Sequence, residues 1–177
     1  SVNHVNKEGS SLLQLAVAKA DKVCTQTTRR LLELKASVGH RHPSTGRTAL
    51  HVAAPVKGGE VLVELLGKHG AEVNAACFRG HHSLHLALEA ARFATVAVLL
   101  GLQADVNAPY KQEEKTFLPL HLALLKDTDI DLLRLFLELG ADVNAACPNG
   151  SPPVVNAAAR GNGDRIRLLV GAGAELT

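Results

Sequence analysis

Three stretches of this chain repeat almost verbatim: Gly70-Ala71-Glu72-Val73-Asn74-Ala75-Ala76-Cys77, Gln103-Ala104-Asp105-Val106-Asn107-Ala108, and Gly140-Ala141-Asp142-Val143-Asn144-Ala145-Ala146-Cys147. Their valines stand 33 and 37 residues apart. A second element recurs between them as Thr48-Ala49-Leu50-His51-Val52-Ala53, His82-Ser83-Leu84-His85-Leu86-Ala87 and Leu118-Pro119-Leu120-His121-Leu122-Ala123. Weaker copies stand at Ser11-Leu12-Leu13-Gln14-Leu15-Ala16 and Pro152-Pro153-Val154-Val155-Asn156-Ala157. The leading apolar positions, Leu13, Leu50, Leu84, Leu120 and Val154, are separated by 37, 34, 36 and 34 residues. A period of this length argues against a globule with one central pocket. Each copy is too small to bury its own apolar face, so neighbours have to stack into a shared core.

The local chemistry of one copy reads as two short helices. Thr48 suits a helix start, and Pro119 and Pro153 fit a first helical turn, where a missing N–H costs nothing. Ala53, Ala87, Ala123 and Ala157 are small at one recurring position, which lets two helix backbones approach closely. A second helix follows with helical apolar spacing, as in Val61, Leu62, Leu65, Leu66 and again Leu132, Leu133, Leu135, Phe136. Gly70, Gly140 and Gly173 are placed to end those helices in a left-handed conformation, and Gly46, Gly80 and Gly150 to make tight turns before the next copy.

With five copies in register over nearly the whole chain, the sequence resembles the ankyrin repeat, a unit of about 33 residues with a Thr-Pro-Leu-His-x-Ala signature. The resemblance implies an all-α solenoid of stacked helix-turn-helix units with β-turn or hairpin connections. The expected repeats are approximately 4–39, 40–74, 75–107, 108–144 and 145–177, forming a single domain over 1–177 with the shape of a slightly curved rod. It also implies that His51, His85 and His121 tie neighbouring turns by hydrogen bonds. The chain opens inside a repeat and stops just after Ala174-Glu175-Leu176, which reads as a fragment of a longer array.

Departures from the pattern stand out. Lys35 and Gln103 occupy the helix-ending glycine position. The 13-to-38 span is three residues longer than 84-to-106, and the turn before Leu120 is three residues longer than those before Leu84 and Val154. Insertions fall on exposed turns, where added length costs little and creates recognition surface.

Composition excludes other classes. At 46% hydrophobic and 20% charged residues the chain is no disordered tail. No apolar run is long enough for a membrane helix, so no membrane insertion is expected. Three cysteines (Cys24, Cys77, Cys147) cannot all pair with one another, which suits a reducing, cytoplasmic or nuclear setting. Residues 1–80 hold 11 Lys/Arg against 6 Asp/Glu, and residues 81–177 hold 8 against 11. There is no dense basic run, and five aromatics make no stacking platform, so nucleic acid is not an expected partner.

Catalytic chemistry finds no foothold. No nucleophile elbow, Walker loop or dinucleotide fingerprint is present, and Gly161-Asn162-Gly163 falls where the repeats turn. Asp127-x-Asp129-x-Asp131 is expected in an interhelix loop and lacks the glycine and glutamate of a calcium loop. Glu113-Glu114 is expected in the lengthened turn. His40-Arg41-His42 and His81-His82 lie in consecutive turns, without the Cys-x-x-Cys partner of a zinc site. No cofactor, metal or enzymatic activity is expected.

The resemblance places function on the turn tips and the first helix of each repeat. The second tip carries His42, Ser44, Thr45 and Arg47; the third carries Ala76, Phe78, Arg79 and His81, followed by Glu89 and Ala90; the fourth carries Tyr110, Lys111, Lys115 and Phe117; the fifth carries Pro148 and Asn149. The expected contact residues are Arg41, His42, Arg47, Phe78, Arg79, His81, Glu89, Tyr110, Lys111 and Lys115. Phe78 is the sharpest, because an aromatic at a turn tip beside arginine has the composition of an interface hot spot. The competing reading folds Phe78 back onto Tyr110 or its own repeat, and Phe117 is read as core. Arg41, Arg47 and Arg79 suit an acidic or phosphorylated peptide. The expectation is therefore a protein-interaction module of adaptor or scaffold type. Its rivals are a regulatory segment of a larger enzyme or channel, and a small-ligand or metal-binding domain using the histidine-rich edge.

Overall fold

The computed structural model describes residues 1–112 and 114–175. The chain divides into two compact units, Ser1–Ala104 and Asp105–Thr177.

The first unit holds three helix pairs: α1 (Leu12–Ala16) with α2 (Lys22–Glu33), α3 (Ala49–Ala53) with α4 (Glu60–Lys68), and α5 (Ser83–Glu89) with α6 (Phe93–Gly101). First helices pack α1 on α3 and α3 on α5, while second helices pack α2 on α4 and α4 on α6. Their shared interior is formed by Leu13, Leu50 and Leu84 from the first layer and Leu62, Leu66 and Leu99 from the second, all buried. Ala53 and Ala87 are fully buried too, at the recurring small position where first and second helices close on each other.

The second unit opens with a two-stranded antiparallel hairpin, β1 (Tyr110–Gln112) and β2 (Lys115–Phe117), which pairs Tyr110 with Phe117. Helices α7 (Pro119–Leu125), α8 (Ile130–Glu138), α9 (Pro153–Ala159) and α10 (Gly163–Gly171) follow, with α7 on α9 and α8 on α10. Leu120, Leu133, Phe136, Val154 and Leu169 make its core. The expected all-α, stacked helix-turn-helix architecture is what the chain adopts, with the lengthened fourth turn spent on the hairpin. Glu113 and Leu176 lie outside the described residues, and Glu114 occupies the hairpin turn.

The recurring Val-Asn dipeptide turns out to be structural. The Asn107 side chain donates to Gly140 O at 2.8 Å and accepts from Asp142 N at 2.8 Å, one repeat further on. Asn144 does the same with Gly173 O at 3.1 Å and Glu175 N at 2.8 Å. In the first unit Asn74 donates to Gln103 O at 3.1 Å, and Asn3 accepts from Ser37 N at 2.8 Å. Each asparagine satisfies backbone groups left over at the end of the next repeat's second helix.

Those helix ends are left-handed, as expected: φ is 81° at Gly70, 84° at Gly140 and 93° at Gly173. Lys35 and Gln103 adopt the same conformation, at 60° and 64°, although they carry a Cβ. The clash costs an L-residue roughly 1–2 kcal/mol, of which glycine's extra unfolded-state freedom returns part. Gln103→Gly should therefore raise stability by about 0.5–1 kcal/mol, read as a higher urea midpoint at unchanged slope. A lower midpoint would contradict this reading of the turn.

The acidic run Asp127-x-Asp129-x-Asp131 is exposed at the turn between α7 and α8, as expected of an interhelix loop, and its carboxylates also have local roles there. Asp129 caps α8 by accepting from Leu132 N at 2.7 Å, and Asp131 lies in that helix's first turn. Asp127 accepts from Arg165 Nη1 at 2.5 Å, and Arg165 Nη2 donates to Thr128 O at 2.5 Å. Buried Arg165 thus clips α10 to the turn between α7 and α8, and the carboxylates serve helix starts and a charge pair.

Candidate functional site

The turn tips are held in place from below by the signature histidines. His51 is fully buried, and its Nδ1 accepts from Thr48 N at 3.2 Å and Thr48 Oγ1 at 2.8 Å. The ring is therefore the neutral Nε2–H tautomer, and Nε2 donates to His81 O in the next turn at 3.1 Å. His121 repeats the arrangement in the second unit, accepting from Leu118 N at 3.1 Å and donating to Ala145 O at 3.0 Å. The expected tie between turns is present at both. At His85, Nδ1 accepts from His82 N at 3.1 Å.

Burial holds the His51 pKa down, from 6.5 to about 4, with the Arg41 and Arg47 charges adding to the effect against the bond to His81 O. Burial lowers that of His121 as well. In the first repeat Gln14 does the same work without a titrating ring. Its Oε1 accepts from Ser11 N at 2.9 Å, and its Nε2 donates to Arg47 O at 2.7 Å. A carboxamide offers one acceptor and one donor on opposite sides of the same short side chain, as neutral imidazole does.

On this scaffold the second and third tips come together. Phe78 N donates to Thr45 O at 2.9 Å, and the Arg41 guanidinium donates to Ala76 O. The Phe78 ring lies over Gly46, where a Cβ would meet ring carbon Cδ1 at 2.5 Å, so only glycine leaves room beneath it. The outer face of the ring remains open, 65% of the residue being exposed. Phe78 is thus neither folded into its own core nor loose. It is an apolar plate fixed on one side and offered on the other.

Arg41, Arg47 and Arg79 are exposed on these tips, and His42 is half-buried beside them, its Nδ1 accepting from Ser44 N at 3.3 Å. His81 Nε2 lies 3.5 Å from Glu89 Oε1, so these two expected contact residues form one polar pair at the foot of the third tip. His82 stacks on His85 with ring centroids 5.3 Å apart. Among the described residues no group of three or more His, Cys, Asp or Glu is arranged to hold a metal ion.

In the second unit the expectations divide. Lys111 and Lys115 are exposed on the hairpin. Tyr110 is not available for contact: it is 2% exposed and stacks on Phe117 with centroids 5.4 Å apart and planes 20° from parallel. The two rings are the cross-strand pair that holds the hairpin, and their burial offsets the entropy of ordering an inserted turn. Phe117 is accordingly half-buried. Pro148 and Asn149 of the fifth tip line a cavity of about 320 Å3 whose floor comes from α7 and α9. Nothing in the repeat spacing marks this cavity.

Among the described residues no helix is long and apolar enough to cross a membrane. Family models of ankyrin repeats match residues 13–110 and 120–170. Human Ankyrin repeat and SOCS box protein 6 is 38% identical over 152 residues, covering 81% of this chain and 34% of that protein. Human NF-kappa-B inhibitor alpha is 30% identical over 150 residues, 81% of this chain and 46% of its own length. Mouse Rabankyrin-5 is 26% identical over 144 residues, 81% of this chain and 12% of its own. The chain thus spans about a third of the first of these relatives and less than half of the second. Ankyrin repeats make it a protein–protein interaction module. With matched repeats, signature histidines and helix-pair layers all in the same register, the chain belongs to the ankyrin-repeat family.

Proposed function

We propose that this chain works as an adaptor or scaffold segment that grips a partner protein through its turn tips and adjoining first helices, with no catalysis of its own. The contact residues in the first unit are Arg41, His42, Arg47, Phe78, Arg79, His81 and Glu89; in the second they include Lys111 and Lys115. The single observation that carries this reading is Phe78, an exposed phenylalanine pinned over Gly46 among arginines. A large apolar side chain held rigid on the surface loses little freedom on binding, which is what makes an anchor.

Arginines around such an anchor favour a partner segment that is acidic or phosphorylated, since guanidinium pairs in two-pronged fashion with carboxylate and phosphate. One relative, NF-kappa-B inhibitor alpha, acts by its name on another protein. That these relatives are much longer than this chain also favours a regulatory segment within a larger protein, which would use the same surface.

Phe78→Ala combined with Arg79→Ala should cut capture of the bound protein from cell extract at least tenfold, with captured proteins identified by mass spectrometry. The melting temperature should stay within a degree or two, because neither side chain is in the core. Equal losses of folding and binding would show that these residues are structural.

A further inference from the structure

In the second unit, the cavity of about 320 Å3 lies between α7 with its hairpin and α9 with the fifth tip. Its floor is hydrocarbon, from Phe117, Leu124 and Ala157, and exposed Ala159 stands at the mouth. Leu125 carries the apolar surface outward, lining the cavity while remaining 47% exposed. Among the described residues no carboxylate lines it, whereas Lys115 and Arg160 do. Arg165 also lines it, but its guanidinium is committed to Asp127 and Thr128 O. Arg160 Nη1 donates to Leu125 O at 3.3 Å and stands 4.0 Å from Asp127 Oδ1, a distance at which that carboxylate, already bonded to Arg165, neutralises it only in part. At the rim Asn149 Nδ2 donates to Asn156 Oδ1 at 3.1 Å, a pair of amides suited to a peptide backbone.

We infer that this cavity takes one large apolar side chain of a partner peptide whose neighbouring residue is an aspartate or glutamate. The apolar floor, cationic rim and amide pair match those three parts of such a segment. The volume is at the small end for ligand sites, roughly 300–1,000 Å3, which suits a single side chain with adjoining backbone. Exposed Leu125 continues the apolar path beyond the cavity, as an extended chain needs and an isolated small molecule does not. The positive charge that Lys115 and Arg160 bring to the rim selects an acidic neighbour over a basic one. This inference rests on the interaction-module reading, and it uses residues separate from Phe78 and Arg79.

The test is selection of a random peptide library displayed on phage against the whole chain, followed by binding of the enriched synthetic peptides. Enriched sequences should pair a large apolar residue with an adjacent Asp or Glu. Ala159→Trp, which fills the mouth from an exposed position, should weaken them at least tenfold while the circular-dichroism melt is unchanged. Lys115→Ser with Arg160→Ser should weaken them about tenfold and remove most of their salt dependence. Failure to enrich any peptide, or enrichment of peptides indifferent to Ala159→Trp, overturns the inference. So does a dimer in sedimentation that Ala159→Trp abolishes, since a second copy would then be the occupant. Loss of this site with Phe78/Arg79-dependent capture intact would leave the interaction-module reading standing. Loss of that capture with peptide selection intact would strike the first-unit surface alone.

Discussion

Phe136→Ala should destabilise the second unit by about 3–5 kcal/mol, the range for emptying a fully buried phenylalanine site. Phe136 is completely buried on α8, which packs against both α7 and α10, so the missing ring leaves a hole between three helices. Whole domains are stable by only about 5–15 kcal/mol, so this is a large share. In repeat proteins, contacts run between neighbours, so the loss should stay local. Hydrogen exchange checks this directly. Core amides in α7 to α10 should exchange roughly 100-fold to 1,000-fold faster, with a smaller change in α1 to α4. A uniform acceleration, or none, would show that Phe136 is not the centre of a separable packing unit.

The second large effect is acid sensitivity with one principal source. An unfolded His51 takes up its proton near pH 6.5, and the folded one only near pH 4, because burial opposes the charge. Between those values the unfolded state binds more protons, so stability falls as pH falls from about 6.5 to about 4. The full difference is on the order of 3 kcal/mol. His121 contributes in the same direction. Protonation would also strip Nδ1 of its acceptor role towards Thr48, adding a broken bond to a buried charge. Gln14 supplies the control, since the first repeat makes the equivalent tie with a carboxamide. His51→Gln should keep neutral-pH stability within about 1.5 kcal/mol of the parent and remove most of the acid loss, measured by urea unfolding across this pH range. An unchanged pH profile in that variant would place the acid response elsewhere.

What was legible in the sequence followed from repetition. Leu13, Leu50, Leu84, Leu120 and Val154 were readable as core because each sits at the same register position, and all are buried. The positive-φ glycines were readable for the same reason, since only a backbone demand explains glycine at a fixed offset. The Asn ladder was written equally plainly, in Asn3, Asn74, Asn107 and Asn144. Spacing alone, however, does not tell a surface polar residue from one that bonds to the next repeat. The hairpin had only a short signal: Tyr110 and Phe117 frame Lys111, Gln112, Lys115 and Thr116, too brief an alternation to outweigh the reading of an exposed loop. That is why Tyr110 read as a contact residue when pairing across the strands buries it. The Arg165–Asp127 clip joins residues 38 apart through non-repeated side chains, and nothing in the period announces it. The cavity beside α9 escaped for a similar reason, because it depends on alanines at positions 157 and 159 where a larger side chain would close it.

On the proposed function, buried, repeated positions supply stability and the turn tips supply binding. The most direct measurement is hydrogen–deuterium exchange of the chain alone and with its captured partner. Slower exchange on binding is expected at residues 41–47 and 76–81 and along α5. Protection confined to the second helices α2, α4 and α6, with the tips unchanged, would contradict the claim.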